Sequence, residues 1–230
     1  MCGIAGFNWK DEAEMRKVCA SLLHRGPDQE GYYADTSVTL GHKRLSIIDL
    51  SPSGIQPMAN ENKTILITFN GEIFNFVELR QDLQKYTFKT GTDTEVIIHA
   101  YEEYGEECVN KLTGQFAFAI YDVTKQILFL ARDRVGINPL YYYFDGKKFI
   151  FGSELKVIIN SEVPKQINEY ALHYYLAYGY TPGKQSIFEN TYKLEPGHYM
   201  VFDLRENKIT TYKKYWDVSY TSEITDEQEA

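Results

Sequence analysis

The sequence predicts an α+β domain in which two sheets carry helices packed on them. Three observations lead there. Short β-rich runs stand at both ends of the chain, a pair of amphipathic helical segments lies between them, and aromatic residues are abundant. The 19 tyrosines and 13 phenylalanines fit half-buried pleated surfaces. Sheets and helices with one apolar face must bury those faces against each other, so layers follow.

Each element can be justified in order. After an apolar opening, "DEAEMRKVCASLLHR" spaces Met15, Val18, Cys19, Leu22 and Leu23 at helical intervals, with acids early and bases late. "RGPD" ends it. "GYYA", "SVTLGHKRLSIIDL" and "KTILITFNG" read as strands, followed by helices over "FNFVELRQDLQKY" and "TDTEVIIHAYEEYG". The second helix begins with a Thr/Asp cap. "GQFAFAIYD" and "QILFLARD", separated by "VTK", predict a hairpin, and "PLYYYFDGKKFIFGS" returns to strand. "ELKVIINS" and "NEYALHYYLAYG" predict two more helices, and "GHYMVFDLRENKITTYKKYW" a final hairpin. One domain is expected over 1–216. The polar, acidic stretch 217–230 reads as the start of a linker.

Composition excludes several classes. A net charge of −8 without any basic run argues against nucleic acid or an anionic membrane as partner. Cys2, Cys19 and Cys108 form no CxxC pair and have no zinc spacing, so a reduced, cytoplasmic protein without a metal site is expected. The five histidines likewise lack metal-ligand spacing. "GYTPGKQS" is one residue short of a phosphate-binding loop and has Gln185 where Ser or Thr should meet magnesium.

Four features carry chemistry. In "MCGIAGFN", removal of Met1 would leave Cys2 with a thiol and a free α-amine, whose reference pKa is about 7.7–8.0. Such an amine can take the thiol proton and later return one to a leaving group. A structural cysteine is the alternative. "FNGEIFN" places Asn70 and Gly71 at the end of an apolar strand. They are either a plain turn or a paired amide and backbone donor suited to an oxyanion. Arg44, before "LSII", is either an edge residue in an ion pair or a fork for a substrate carboxylate. Asp93, in "GTDTEVI", is a helix cap or a partner for a ligand ammonium.

Together "MCGIAGF", "HRGPDQEG", "RLSIIDLSPSGIQPM", "FNGEIFN", "GTDTEVI", "GQFAFAIYD", "ARDRVGINPLYYY" and "FGSELKVI" resemble, in order, class II glutamine amidotransferase domains. The resemblance is to the N-terminal glutaminase half of glutamine-hydrolysing asparagine synthetases, and covers Cys2 to about Asp217. It implies an N-terminal nucleophile hydrolase fold, a four-layer αββα sandwich with two mainly antiparallel sheets flanked by helices. It further implies that Cys2 is the nucleophile, and that Asn70 and Gly71 form the oxyanion hole. L-glutamine would be held by Arg44 and Asp93, with backbone groups of Leu45, Ser46, Ile47, Ile48 and Glu72 completing the pocket. Arg25 and Asp28 in "HRGPD" would order nearby loops or form a structural ion pair.

The relatives continue into a synthetase domain with an "SGGxDS" loop, which this sequence lacks. ATP and magnesium are expected only there, and no cofactor in this domain. The implied partners are L-glutamine and that C-terminal domain in cis. A homodimer would fit the family, though no residue pattern marks an interface. The ammonia acceptor, aspartate or one belonging to a carbohydrate, antibiotic or cell-surface pathway, would be chosen by the second domain. A non-catalytic binding module is disfavoured because every catalytic position is intact.

Overall fold

Twelve strands form two six-stranded sheets in this computed structural model, which describes residues 1–219. The expected linker therefore lies outside the described residues from position 220 on. The first sheet contains β1 (Gly3–Phe7), β2 (Gln29–Ala34), β3 (Thr39–Arg44), β8 (Tyr141–Phe144), β9 (Phe149–Gly152) and β10 (Thr191–Lys193). Its spatial order is β10-β8-β9-β1-β3-β2. The second contains β4 (Met58–Ala59), β5 (Ile65–Ile73), β6 (Gly114–Asp122), β7 (Ile127–Arg132), β11 (His198–Asp203) and β12 (Lys208–Lys214). Its order is β12-β11-β7-β6-β5-β4. Every pairing is antiparallel, and the two expected hairpins, β6 with β7 and β11 with β12, both form.

Three apolar clusters fill the three spaces between four layers. Met15, Val18, Cys19 and Leu22 of α1 (Glu12–Ala20) and its following turn pack on the first sheet. Val157 and Ile158 of α4 (Leu155–Ile159) join them. Leu79 of α2 (Phe76–Asp82) and Val96, Ile97 and Ala100 of α3 (Asp93–Tyr104) pack on the second sheet. The third cluster, with Ile4, Leu40, Leu66, Ala117, Leu130, Phe151 and Phe202, lies between the sheets. This is the expected αββα sandwich. Because the second sheet is covered on both faces, "FAFAIY" in β6 has no polar alternation. Phe116, Phe118 and Ile120 face the helices, while Ala117 and Ala119 face the other sheet.

Three local expectations change. The strand expected over "SVTLGHKRLSIIDL" ends at Arg44, and residues 45–51 curl into a loop. Arg44 is the cause, since its buried guanidinium needs acceptors and the loop supplies backbone carbonyls. α1 stops at Ala20, before the predicted end. Ser21 then turns its hydroxyl to the Val18 carbonyl at 2.6 Å. Third, Thr92 rather than Asp93 caps α3: Thr92 Oγ1 accepts the Glu95 N–H at 3.3 Å, and Asp93 is the first helical residue. Among the described residues, no helix is long and apolar enough to cross a membrane. None of their His, Cys, Asp and Glu side chains form a group of three or more able to hold a metal.

Candidate active site

Cys2 stands immediately before β1, so the sheet fixes its position. β1 is buried at every residue and held between β3 and β9. The Leu45 N–H donates to Cys2 Sγ at 3.4 Å, and the thiol faces the Leu45 carbonyl at 3.7 Å. Burial pushes the Cys2 thiol above its ordinary value. The Leu45 N–H and the positive charges of the chain terminus and Arg44 oppose the rise, and Asp93 adds to it. A protonated thiol needs a base, and none of the five histidines bonds to it.

Arg25 fastens the backbone of Cys2. Its Nε donates to the Cys2 carbonyl at 2.8 Å, and its Nη1 to Glu154 Oε1 at 2.9 Å. His24 meets the same Glu154 oxygen at 2.9 Å. Despite partial burial, Glu154 is held below the usual carboxylate range by these two partners. Asp28 accepts the Ser46 N–H at 2.8 Å. Both charged residues of "HRGPD" thus brace the site, one under Cys2 and one under the loop that touches it.

One cleft gathers most of the predicted positions. Cys2, Arg44, Leu45, Ile47, Ile48, Gly71, Glu72 and Asp93 line it, with Met1 at the wall. Ser46 does not, because its N–H is committed to Asp28. Asn70 is fully buried behind the wall, and its Nδ2 donates to Asn138 Oδ1 at 3.1 Å. Gly71 is needed both for its backbone conformation, with φ at +158°, and for space. A Cβ there would stand 2.1 Å from the Gln115 carbonyl oxygen of the paired strand β6.

Arg44 is not a free fork. Its Nη1 donates to Gln29 Oε1 at 2.6 Å and to the Ser51 carbonyl at 2.9 Å. Its Nη2 reaches the carbonyls of Ile48 and Asp49. Gly54 packs against it so closely that a Cβ would lie 2.1 Å from Nη2. Asp93 Oδ2 accepts the Ile73 N–H at 2.9 Å, tying α3 to β5. Burial pushes Asp93 up to about 6, opposed by backbone N–H groups of Ile73 and Thr94 and aided by Glu72.

Some cleft residues escaped the sequence reading. Gln56 is buried, accepts the Phe69 N–H at 2.6 Å and donates to Thr94 Oγ1 at 3.2 Å, so it links β5 to the start of α3. It lies inside the quoted "SGIQPM", where a glutamine reads as an ordinary loop residue. Thr92, Thr94 and Gln115 also line the cleft. The polar residues flanking Asp93 were the available signal for the two threonines.

Residues 1–216 match the glutamine amidotransferase domain family. The chain is 41% identical, over 253 aligned positions, to a Methanocaldococcus jannaschii protein provisionally named asparagine synthetase [glutamine-hydrolyzing] 2. That alignment covers 99% of this chain and 49% of the relative. It is 38% identical to asparagine synthetase [glutamine-hydrolyzing] 1 of Bacillus subtilis, covering 99% of this chain and 37% of the relative. The chain thus spans half or less of the length of these relatives. Among solved structures, the glutamine phosphoribosylpyrophosphate amidotransferase of B. subtilis superposes with a TM-score of 0.68 at 19% identity. It covers 94% of this chain and 49% of that one. That likeness shows a shared fold. By its match across 1–216, the chain belongs to the glutamine amidotransferase domain family.

Proposed function

We propose that this domain hydrolyses L-glutamine to glutamate and ammonia through Cys2, once Met1 has been removed. The observation that carries the reading is the shared cleft: the thiol, Arg44, Gly71 and Asp93 open onto one space. The exposed α-amine of Cys2 takes the Sγ proton, and the thiolate attacks the side-chain amide carbon of glutamine. The Gly71 N–H and the Asn70 amide stabilise the oxyanion. The α-ammonium then protonates the departing nitrogen, ammonia leaves, and a γ-glutamyl thioester remains on Sγ. Water, deprotonated by the same amine, attacks the thioester, and glutamate and the thiol are released. Arg44 holds the substrate carboxylate, which displaces the Ile48 and Asp49 carbonyls from Nη2. Asp93 holds the substrate ammonium. The test is glutamate release by Cys2→Ala beside wild type, with Met1 excision checked by mass. Undiminished release from Cys2→Ala overturns the mechanism.

The ammonia then serves ATP-dependent synthesis of asparagine from aspartate in a second domain, which would bring its own ATP and magnesium. Two observations support such a partner. The similar relatives are twice as long or more. In addition, α5 (Glu169–Tyr178) presents Leu176, 76% exposed, and Tyr178, 65% exposed, beside an apolar groove of about 580 Å³. Lys193 lines that groove. Four residues on, the Gly197 carbonyl accepts the Tyr215 N–H, so the chain leaves the sandwich near the same edge. Leu176→Asp with Tyr178→Asp, in the protein as its gene encodes it, should stop transfer of glutamine nitrogen into asparagine while glutamate release continues. Unchanged transfer overturns the docking assignment.

A further inference from the structure

The hydrogen bond between Asn70 and Asn138 joins residues 68 positions apart, in the space between the two sheets. Both side chains are fully buried. Asn70 lies on β5 opposite Ala117 of β6, which offers no polar side chain, and Asn70 Oδ1 has no partner among the described residues. The terminal torsion of an asparagine is soft, since an sp³–sp² bond has broad minima. Among the described residues, the one side-chain hydrogen bond that sets the plane of the Asn70 amide is therefore the one to Asn138.

Asn138 is itself rigidly mounted. Its N–H donates to Asp133 Oδ2 at 3.0 Å and its carbonyl accepts Arg132 Nε at 2.7 Å. Asp133 is fully buried and also accepts the N–H groups of Val135, Ile137 and Phe116, so the turn that carries Asn138 is wound around one carboxylate. Arg132 closes the other side by donating to the Gly136 carbonyl at 2.7 Å. Such a mount fixes the Asn138 backbone, and Pro139 stiffens the chain beyond it, while the Asn138 side chain bonds only Asn70, its Nδ2 having no partner among the described residues.

From this geometry we infer that Asn138 is a positioning residue for glutamine hydrolysis, fixing the Asn70 amide so that it donates to the oxyanion. The assignment rests on the glutaminase reading above. An amide nitrogen carries two hydrogens, so Asn70 Nδ2 can bond Asn138 with one and keep the other for the developing charge. A preorganised donor stabilises the transition state because it does not reorient as charge develops. Freed from Asn138, the Asn70 amide would rotate among several orientations and stabilise the ground and transition states more equally. The loss should therefore fall on kcat.

The experiment is a double-mutant cycle on the Met1-processed protein, with glutamate release as readout. Asn138→Leu keeps the number and branching of the side-chain heavy atoms and removes the acceptor. It should lower kcat about 10- to 100-fold, somewhat less than outright loss of an oxyanion donor, and leave KM within about twofold. Inhibition by the aldehyde analogue of glutamine, which becomes tetrahedral on Cys2, should weaken by the same factor, while binding of L-glutamate is unchanged. In an Asn70→Ala background, Asn138→Leu should add no further loss.

Full additivity of the two losses overturns the assignment, as does a change confined to KM. Asn138→Ala is run in parallel, so that the cycle can be completed if the leucine variant fails to fold. Wild-type protein that releases no glutamate would overturn the glutaminase reading itself. An active wild type with undiminished Asn138 variants would overturn only the positioning role.

Discussion

Arg25 Nε donates to the carbonyl oxygen of Cys2 at 2.8 Å, holding the backbone of the candidate nucleophile from beneath. A residue at a chain end has no preceding strand to hold it, so its orientation depends on such contacts. The other guanidinium contact, to Glu154, fixes the arginine in turn.

Arg25→Met keeps much of the packing and removes both hydrogen bonds. A misplacement of about 1 Å at a nucleophile can cost about 100-fold in rate. Glutamate release should fall by about 10- to 100-fold in kcat with little change in KM. Labelling of Cys2 by a diazo-ketone analogue of glutamine should slow in parallel. Equal labelling rates in variant and wild type would show that Arg25 does not orient the thiol.

Gly54→Ala tests Arg44 without substituting it. The new methyl would collide with Nη2, whose carbonyl partners sit in the same loop. A displaced guanidinium weakens capture of the substrate carboxylate, so KM for glutamine should rise about tenfold, equivalent to about 1.4 kcal/mol, with kcat retained. Steady-state kinetics decide it, and an unchanged KM removes Arg44 from carboxylate binding.

Asp93 sets an acidic limit on substrate capture. Its carboxyl titrates near about 6 because of burial, and only the ionised form holds an ammonium. KM for glutamine should therefore climb as pH falls through about 6. Asp93→Asn should raise KM at pH 8 by about 10- to 100-fold and abolish that pH dependence of KM. A variant that keeps the wild-type KM profile would rule out the ammonium contact.

Stability against pH separates two buried groups. His42, whose Nε2 donates to the Phe69 carbonyl at 3.0 Å, is pushed down to about 4 by burial. Its stabilising effect is full above the ordinary histidine value and is lost as pH falls, since the unfolded chain then binds the extra proton. Between pH 6.5 and 5 that loss is on the order of 2 kcal/mol. Asp93 works the other way, because its raised pKa lets the folded state bind a proton first as pH falls below about 6. Asp93→Asn removes this offset, so denaturant midpoints should fall more steeply from pH 7 to 5 than in wild type. Parallel slopes in the two proteins would refute the opposition.

Read alone, the chain pointed to its family, its candidate site and most of its elements. The cysteine behind the initiator, the Asn-Gly pair after an apolar run, and the helical spacing of Met15, Val18, Cys19 and Leu22 are local signals, legible because they depend on neighbours a few residues apart. What needed the packed structure was longer in reach. The end of β3 at Arg44 follows from a buried guanidinium taking carbonyls from the next residues, against the β-propensity of "LSII". Ser46 left the cleft because Asp28 claims its N–H. The Asn70–Asn138 bond and the grip of Arg25 on Cys2 exist only once tertiary packing brings distant segments within about 3 Å of each other. Propensity acts along the chain, whereas satisfying a buried polar group requires whichever partner the fold delivers, and that is decided in three dimensions.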